Sequence, residues 1–151
     1  MRLDKTRALS CALLLASAAT FGLAAARAQL KPDGVQFVSA AELKEKLTRG
    51  EAVTLIDLRS ADAYAGSDGK IRGALHIKER RLRARLGLPP LRDVARDSEV
   101  VTYCACPDDE AAVRAAQTLS AAGFKRVRVL KGGWRGWLDA RGQVEAKPRG
   151  L

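Results

Sequence analysis

The chain has 151 residues and a formal net charge of +10, with 47% of its residues hydrophobic and 29% charged. That is one domain's worth of sequence, with enough apolar content for a core. Apart from Cys11 near the amino end, one histidine and two cysteines fall short of a zinc site, so no metal or other cofactor is expected.

Residues 1–28 open with a short basic lead and continue through a run of small and apolar residues to Ala26-Arg27-Ala28. A charged lead, an apolar stretch and small residues at a cleavage site form a secretory signal peptide pattern. Cleavage after Ala28, an exported (periplasmic) mature protein and no stable membrane insertion are the expectation. Removal of Arg2, Lys5, Arg7, Arg27 and Asp4 would leave a net charge of +7. It would also leave only Cys104 and Cys106, one residue apart, which cannot staple distant parts of a fold. Such a pair reads as reactive or mutually oxidised.

Residues 29–34 are a loose polar lead-in, and 35–38 form a short strand. Ser39-Ala-Ala-Glu42 fits a capping box, the hydroxyl and the carboxylate each satisfying a first-turn N–H. Leu43 and Leu47 follow at helical spacing until Gly50. Residues 52–58 are nearly continuous apolar sequence, as expected of a strand buried on both faces of a parallel sheet. Ser60 can cap a short helix through Tyr64. Residues 71–77 give a tight turn and another short strand holding His76, the only histidine, which reads as a buried polar residue.

The segment 78–86 is basic, with Leu82 and Leu86 four apart, and reads as a surface helix. No aromatic residues interleave with its charges, which argues against nucleic acid. Arg80, Arg81, Arg83 and Arg85 could instead attract an anionic substrate.

The strand 99–103 runs directly into Cys104, and a helix is expected from about Pro107 to Ala122, with Gly123 as its stop. A thiol between a strand end and a helix N-terminus sits where unpaired N–H groups favour the thiolate. Residues 127–130 form another strand, Gly132-Gly133 a turn, and Trp134 and Trp137 belong to a last short helix. Residues 141–151 are polar and read as a flexible, frayed tail. Strands alternating with helices indicate an α/β fold with a mainly parallel central sheet flanked by helices. Reactive groups then belong at the carboxyl ends of the strands, where Cys104 falls.

Several pieces, in order, resemble a rhodanese-like (sulfurtransferase) domain over 35–140. They are Val38-Ser-Ala-Ala-Glu-Leu43, Leu55-Ile-Asp-Leu-Arg59 with Tyr64, and Gly69-Lys-Ile-Arg-Gly-Ala74. Val101-Thr-Tyr-Cys104 then resembles the strand that delivers the nucleophile, and Gly123-Phe124 with Leu130-Lys-Gly-Gly-Trp134 and Trp137 resembles the ending. The resemblance implies transfer of a sulfane sulfur through a cysteine persulfide, between a small sulfur-containing anion and a nucleophile such as a protein thiol. It implies Cys104 or Cys106 as the catalytic residue: alignment through the strand selects Cys104, alignment back from Gly123 selects Cys106. Substrate would be bound by Ala105, Asp108 and Asp109 of the loop and by Arg59, though Asp57 and Arg59 also read as groups that hold the strand end. Trp134 and Trp137 read as core and lid packing.

The loop departs from the family pattern. It has no Gly and no Arg, Pro107 removes a backbone donor, and the acids Asp108, Asp109 and Glu110 would repel thiosulfate and raise a nearby thiol's pKa. Glu110 and Ala112 stand where a cysteine-dependent phosphatase would carry its phosphate-binding Arg. Two alternatives therefore stand beside the transferase: a binding module that has lost turnover, and a Cys-x-Cys thiol–disulfide redox protein.

Overall fold

The computed structural model describes residues 34–148. The export segment read in 1–28 and most of the lead-in lie outside the described residues. Five strands make one parallel sheet: β1 (Gln36–Val38), β2 (Val53–Asp57), β4 (Leu75–His76), β5 (Glu99–Tyr103) and β6 (Arg126–Leu130), in the order β1-β6-β5-β2-β4. The helices are α1 (Ala40–Thr48), α2 (Ala61–Ala65), α3 (Leu82–Arg85), α4 (Glu110–Ala121) and α5 (Gly133–Asp139). The mainly parallel α/β architecture is thus the one read from the sequence. Among the described residues, no helix is long and apolar enough to cross a membrane.

The sheet is covered on both faces, and the two-residue period of a strand assigns each side chain to one of them. In β5, Val100 joins a cluster with Leu119, Ala112, Ala115, Ala116 and Phe124. Val101 and Tyr103 join the opposite cluster, with Leu43, Leu55, Leu130 and Trp137. Cys104 continues the alternation and falls back on the side of Val100.

Four local expectations are revised. Ser39 does accept from the Glu42 N–H at 3.1 Å, but the Glu42 carboxylate accepts from Arg128 Nη1 at 2.7 Å instead of closing the box. The basic segment is not one helix: Glu79–Arg81 is a 3-10 turn and Leu82–Arg85 a single turn of α3, with Leu82 buried. Helix α4 starts at Glu110, not near Pro107, because Asp109 takes a left-handed conformation (φ 59°) and the chain turns there. The segment read as a tail carries β7 (Val144–Ala146), antiparallel to β3 (Gly69–Ile71). Lys147 Nζ then donates to the Tyr64 and Ala65 carbonyls at 2.7 and 2.9 Å. Backbone pairing needs no apolar side chains, so a polar segment can be fixed this way.

At the amino end of β5, Glu99 is buried among cations. It accepts from Lys46 Nζ at 3.1 Å, Arg126 Nη2 at 3.1 Å, and Arg128 Nη2 and Nε at 2.7 and 3.0 Å. Burial works to raise its pKa, yet the bonds from Lys46 and Arg128 outweigh it and hold the carboxyl below the usual range. A depressed folded-state pKa contributes stability above the unfolded value, and that contribution is lost as pH falls through the folded one. Glu99→Gln should therefore cost about 2 kcal/mol or more at neutral pH. In denaturant titrations across pH, the gap to the native protein should close below about pH 4. A gap that stays constant into acid would show that charge on Glu99 is not what matters.

Candidate functional site

The loop after β5 is shaped by backbone bonds to its neighbours. The Tyr103 carbonyl accepts from the Leu58 N–H at 2.8 Å and the Cys104 carbonyl from the Trp134 N–H at 2.8 Å. The latter contact brings α5 against the loop at Gly133, which has φ 49° and lies so close to the Cys104 carbonyl that a Cβ could not be accommodated. Asp109 Oδ2 accepts from the Gly132 N–H at 2.9 Å, so a residue of the cysteine loop ties down the turn that opens α5.

Cys104 is 1% exposed, whereas Cys106 is half-buried and Ala105 exposed. Their sulfurs are joined in a disulfide across a Cα–Cα distance of 5.7 Å. Both cysteines and Ala105 line a cavity of about 570 Å3, together with Leu58, Arg59, Ser60, Lys78, Glu79, Arg80 and Ala111. Cys106 lies four residues before the first residue of α4, ahead of its first turn.

Beside the cavity stands a buried polar cluster. Asp57 and Arg59 form an ion pair with no side-chain exposure, Nη2 to Oδ2 at 2.6 Å. Arg59 Nη1 donates to Ser67 Oγ at 2.8 Å and Nη2 to the Gly69 carbonyl at 3.0 Å. The guanidinium also lies 4.2 Å from the centre of the Trp134 ring and 5.0 Å from that of Tyr64. Tyr103 donates its hydroxyl to Asp57 Oδ2 at 2.9 Å. Burial and then the Asp57 charge push the phenol pKa far up, so it stays a neutral donor. His76 stacks on Tyr64 with ring centres 3.7 Å apart, and its Nε2 donates to the Arg59 carbonyl at 3.0 Å. Arg59 thus borders the cavity while its guanidinium is engaged inward.

Of the residues singled out in the sequence, Cys104, Ala105, Cys106 and Arg59 are brought together, whereas Asp108 and Asp109 are not among the residues lining the cavity. Asp109 turns inward and is 6% exposed. Asp108 is exposed, its Oδ1 accepting from the Glu110 N–H at 3.3 Å. Besides the paired Arg59, the cavity cations are Lys78 and Arg80, which form no ion pair among the described residues. Glu79 is bound by Arg114 at 2.7 Å and held below the usual carboxylate range, first by that bond. Arg80 was legible in the basic segment. Lys78 and the Gly133–Trp134 clamp were not, since their relevance depends on which loops share the carboxyl edge of the sheet. Among the described residues, no group of three or more His, Cys, Asp or Glu could hold a metal ion.

A cysteine-bearing loop at the carboxyl end of the central strand, an Asp-x-Arg strand end beside it and a Gly-Gly-Trp turn clamped on the cysteine carbonyl form one ordered arrangement. The rhodanese-like domain model matches residues 39–140. The chain belongs to the rhodanese-like family. This rhodanese-like chain is similar to the Alr3790 protein of Anabaena sp., at 32% identity over 73% of this chain and 82% of that one, with a TM-score of 0.61. It is similar to BH2092 of Bacillus halodurans at 27% identity, over 73% and 76% of the two chains, with a TM-score of 0.61. The human single-domain sulfurtransferase TSTD1 is 28% identical over 68% of this chain and 95% of that one, with a TM-score of 0.58. Among curated proteins, none matches the chain by sequence.

In this rhodanese-like chain the Asp57–Arg59 pair is expected to hold the site wall. Removing one member of a buried ion pair leaves an uncompensated charge and costs about 3–5 kcal/mol. Arg59→Met should lose stability on that scale in denaturant unfolding, and Asp57→Asn combined with it should recover part of the loss. If the double variant is no better than the sum of the two singles, the pair is not coupled.

Proposed function

We propose that the protein is an exported sulfurtransferase that carries a sulfane sulfur as a persulfide on Cys104. The observation that supports this best is the setting of that thiol. It is fixed by β5 and by the Trp134 N–H, and it opens into a cavity whose unpaired cations are Lys78 and Arg80. A doubly charged donor such as thiosulfate needs positive surroundings both to bind and to react. Its outer sulfur is attacked by the Cys104 thiolate, the sulfur–sulfur bond of the donor breaks, and sulfite leaves with the electron pair. A thiol nucleophile then clears the sulfur from Cys104.

The similarity to a human sulfurtransferase and the family membership support the same chemistry. Export rests on the signal-peptide pattern of residues 1–28. The oxidised state of the pair favours a second reading, a thiol–disulfide exchange protein, since Cys104 and Cys106 already form a closed bond.

Mass spectrometry of the reduced protein after thiosulfate separates the two. Transfer predicts one added sulfur on Cys106→Ser and none on Cys104→Ser. Loss of two hydrogens in every donor, with no sulfur ever gained by Cys106→Ser, would favour exchange alone.

The cavity charge gives an independent check. Arg80→Glu should lower kcat/KM for thiosulfate by roughly tenfold at low salt, and the gap should narrow as ionic strength rises and the screening length falls to about 8 Å. A rate indifferent both to salt and to this reversal would mean that the cations do not draw the donor in.

A further inference from the structure

We propose that Cys106 is a built-in resolving thiol, which discharges the Cys104 persulfide as free sulfide and closes the disulfide seen in the structure. This rests on the persulfide reading above and extends it to the fate of the sulfur. The product would be hydrosulfide rather than a sulfur handed to an outside acceptor, and the co-substrate would be a dithiol.

The argument begins with reach. Cys104 and Cys106 are separated by Ala105 alone, their Cα atoms are 5.7 Å apart, and their Sγ atoms are bonded. A reduced Cys106 can therefore return to the line of attack on Cys104 Sγ without movement of the sheet. An attacking group held in this way competes as if present at very high concentration, which a thiol arriving from solution cannot match. Access points in the same direction. Cys104 is buried within the core cluster that also holds Ile56, Leu58, Leu82 and Ala112, while Cys106 packs at the margin of that cluster, half-buried on the cavity wall.

The bond present also says which sulfur is attacked. Attack on the outer sulfur would move the persulfide to Cys106 and leave the two Sγ atoms unbonded. Attack on Cys104 Sγ joins the two Sγ atoms and expels the outer sulfur. The step balances without an oxidant: Cys104–S–SH and the Cys106 thiolate give the Cys104–Cys106 disulfide and HS⁻. The sulfane sulfur accepts two electrons and leaves with its proton, and the two cysteine sulfurs are oxidised in its place.

The disulfide is then reopened by a dithiol. Its first thiolate attacks Cys106 Sγ, the more accessible sulfur, and releases the Cys104 thiolate. Its second thiol attacks the mixed disulfide, frees Cys106 and leaves as the oxidised dithiol. Over one cycle, thiosulfate and a dithiol become sulfite, sulfide and a disulfide.

The test is a single turnover under argon. Reduced protein, freed of reductant, is mixed with thiosulfate, free sulfide is trapped and counted, and the protein is weighed by mass spectrometry. The native protein should release about one sulfide per chain and end two hydrogens lighter than the reduced form. Cys106→Ser and Cys106→Ala should keep the added sulfur and release none. The inference is overturned if the native protein holds its added sulfur as long as the Cys106 variants do, or if fragmentation places that sulfur on Cys106. If the Cys106 variants take up no sulfur at all, the transfer reading itself fails, and this inference with it.

Discussion

A carboxylate and a guanidinium, both withdrawn from water, face each other at the carboxyl edge of the sheet: Asp57 ends β2 and Arg59 follows two residues later. Charges so placed persist only if every group around them is satisfied. Satisfying them organises the neighbourhood. Arg59 reaches Ser67 and the Gly69 carbonyl, which fixes the start of β3. Asp57 takes the hydroxyl of Tyr103, the residue immediately before Cys104. The Arg59 carbonyl takes His76 from β4. Four separate stretches of chain thus meet at one ion pair, and Cys104 is the next residue along from one of them.

The cysteine loop is held from the other side mainly by backbone. The Trp134 N–H meets the Cys104 carbonyl, and Gly133 comes too close to that carbonyl for any side chain at its position. Asp109 completes the closure by accepting from the Gly132 N–H. A left-handed Asp109 and two positive-φ glycines are conformations that a chain adopts where neighbouring contacts require them. Here the requirement is the approach of α5 to the loop. Arg59 also stacks on Trp134, so the polar cluster and the backbone clamp share a side chain and brace the site together.

Much of this was legible in the sequence where the signal was local. The run of β-forming residues 99–103 gave β5 with its true ends. Ser39 and Ser60 cap α1 and α2 as their chemistry suggests. What stayed hidden depended on contacts between distant segments. Pro107 followed by three acids looks like a helix start, but Asp109 is drawn to Gly132, twenty-three residues away, and α4 waits until Glu110. β7 is three residues long in an otherwise polar stretch, and pairing with the backbone of Gly69–Ile71 is what makes it a strand. Lys78 and Arg80 meet the cysteines only because β4 and β5 end at the same edge of the sheet.

The same distinction bears on how an acidic loop could sit beside the proposed anionic donor. Counted along the chain, Asp108, Asp109 and Glu110 place three negative charges within six residues of Cys104. In space each is engaged separately. Asp109 points into the junction with α5 and is buried there, Glu110 pairs with Arg114 at 3.2 Å, and Asp108 caps a backbone N–H in the turn outside the cavity. The cavity itself meets Lys78 and Arg80, supplied by a segment more than twenty residues upstream, while its one acid, Glu79, is bound to Arg114. Electrostatic attraction follows distance and solvent exposure, not order in the chain. Lys78 and Arg80 thus bring positive charge to the cavity that holds the cysteines, while Asp109 serves to shape the loop.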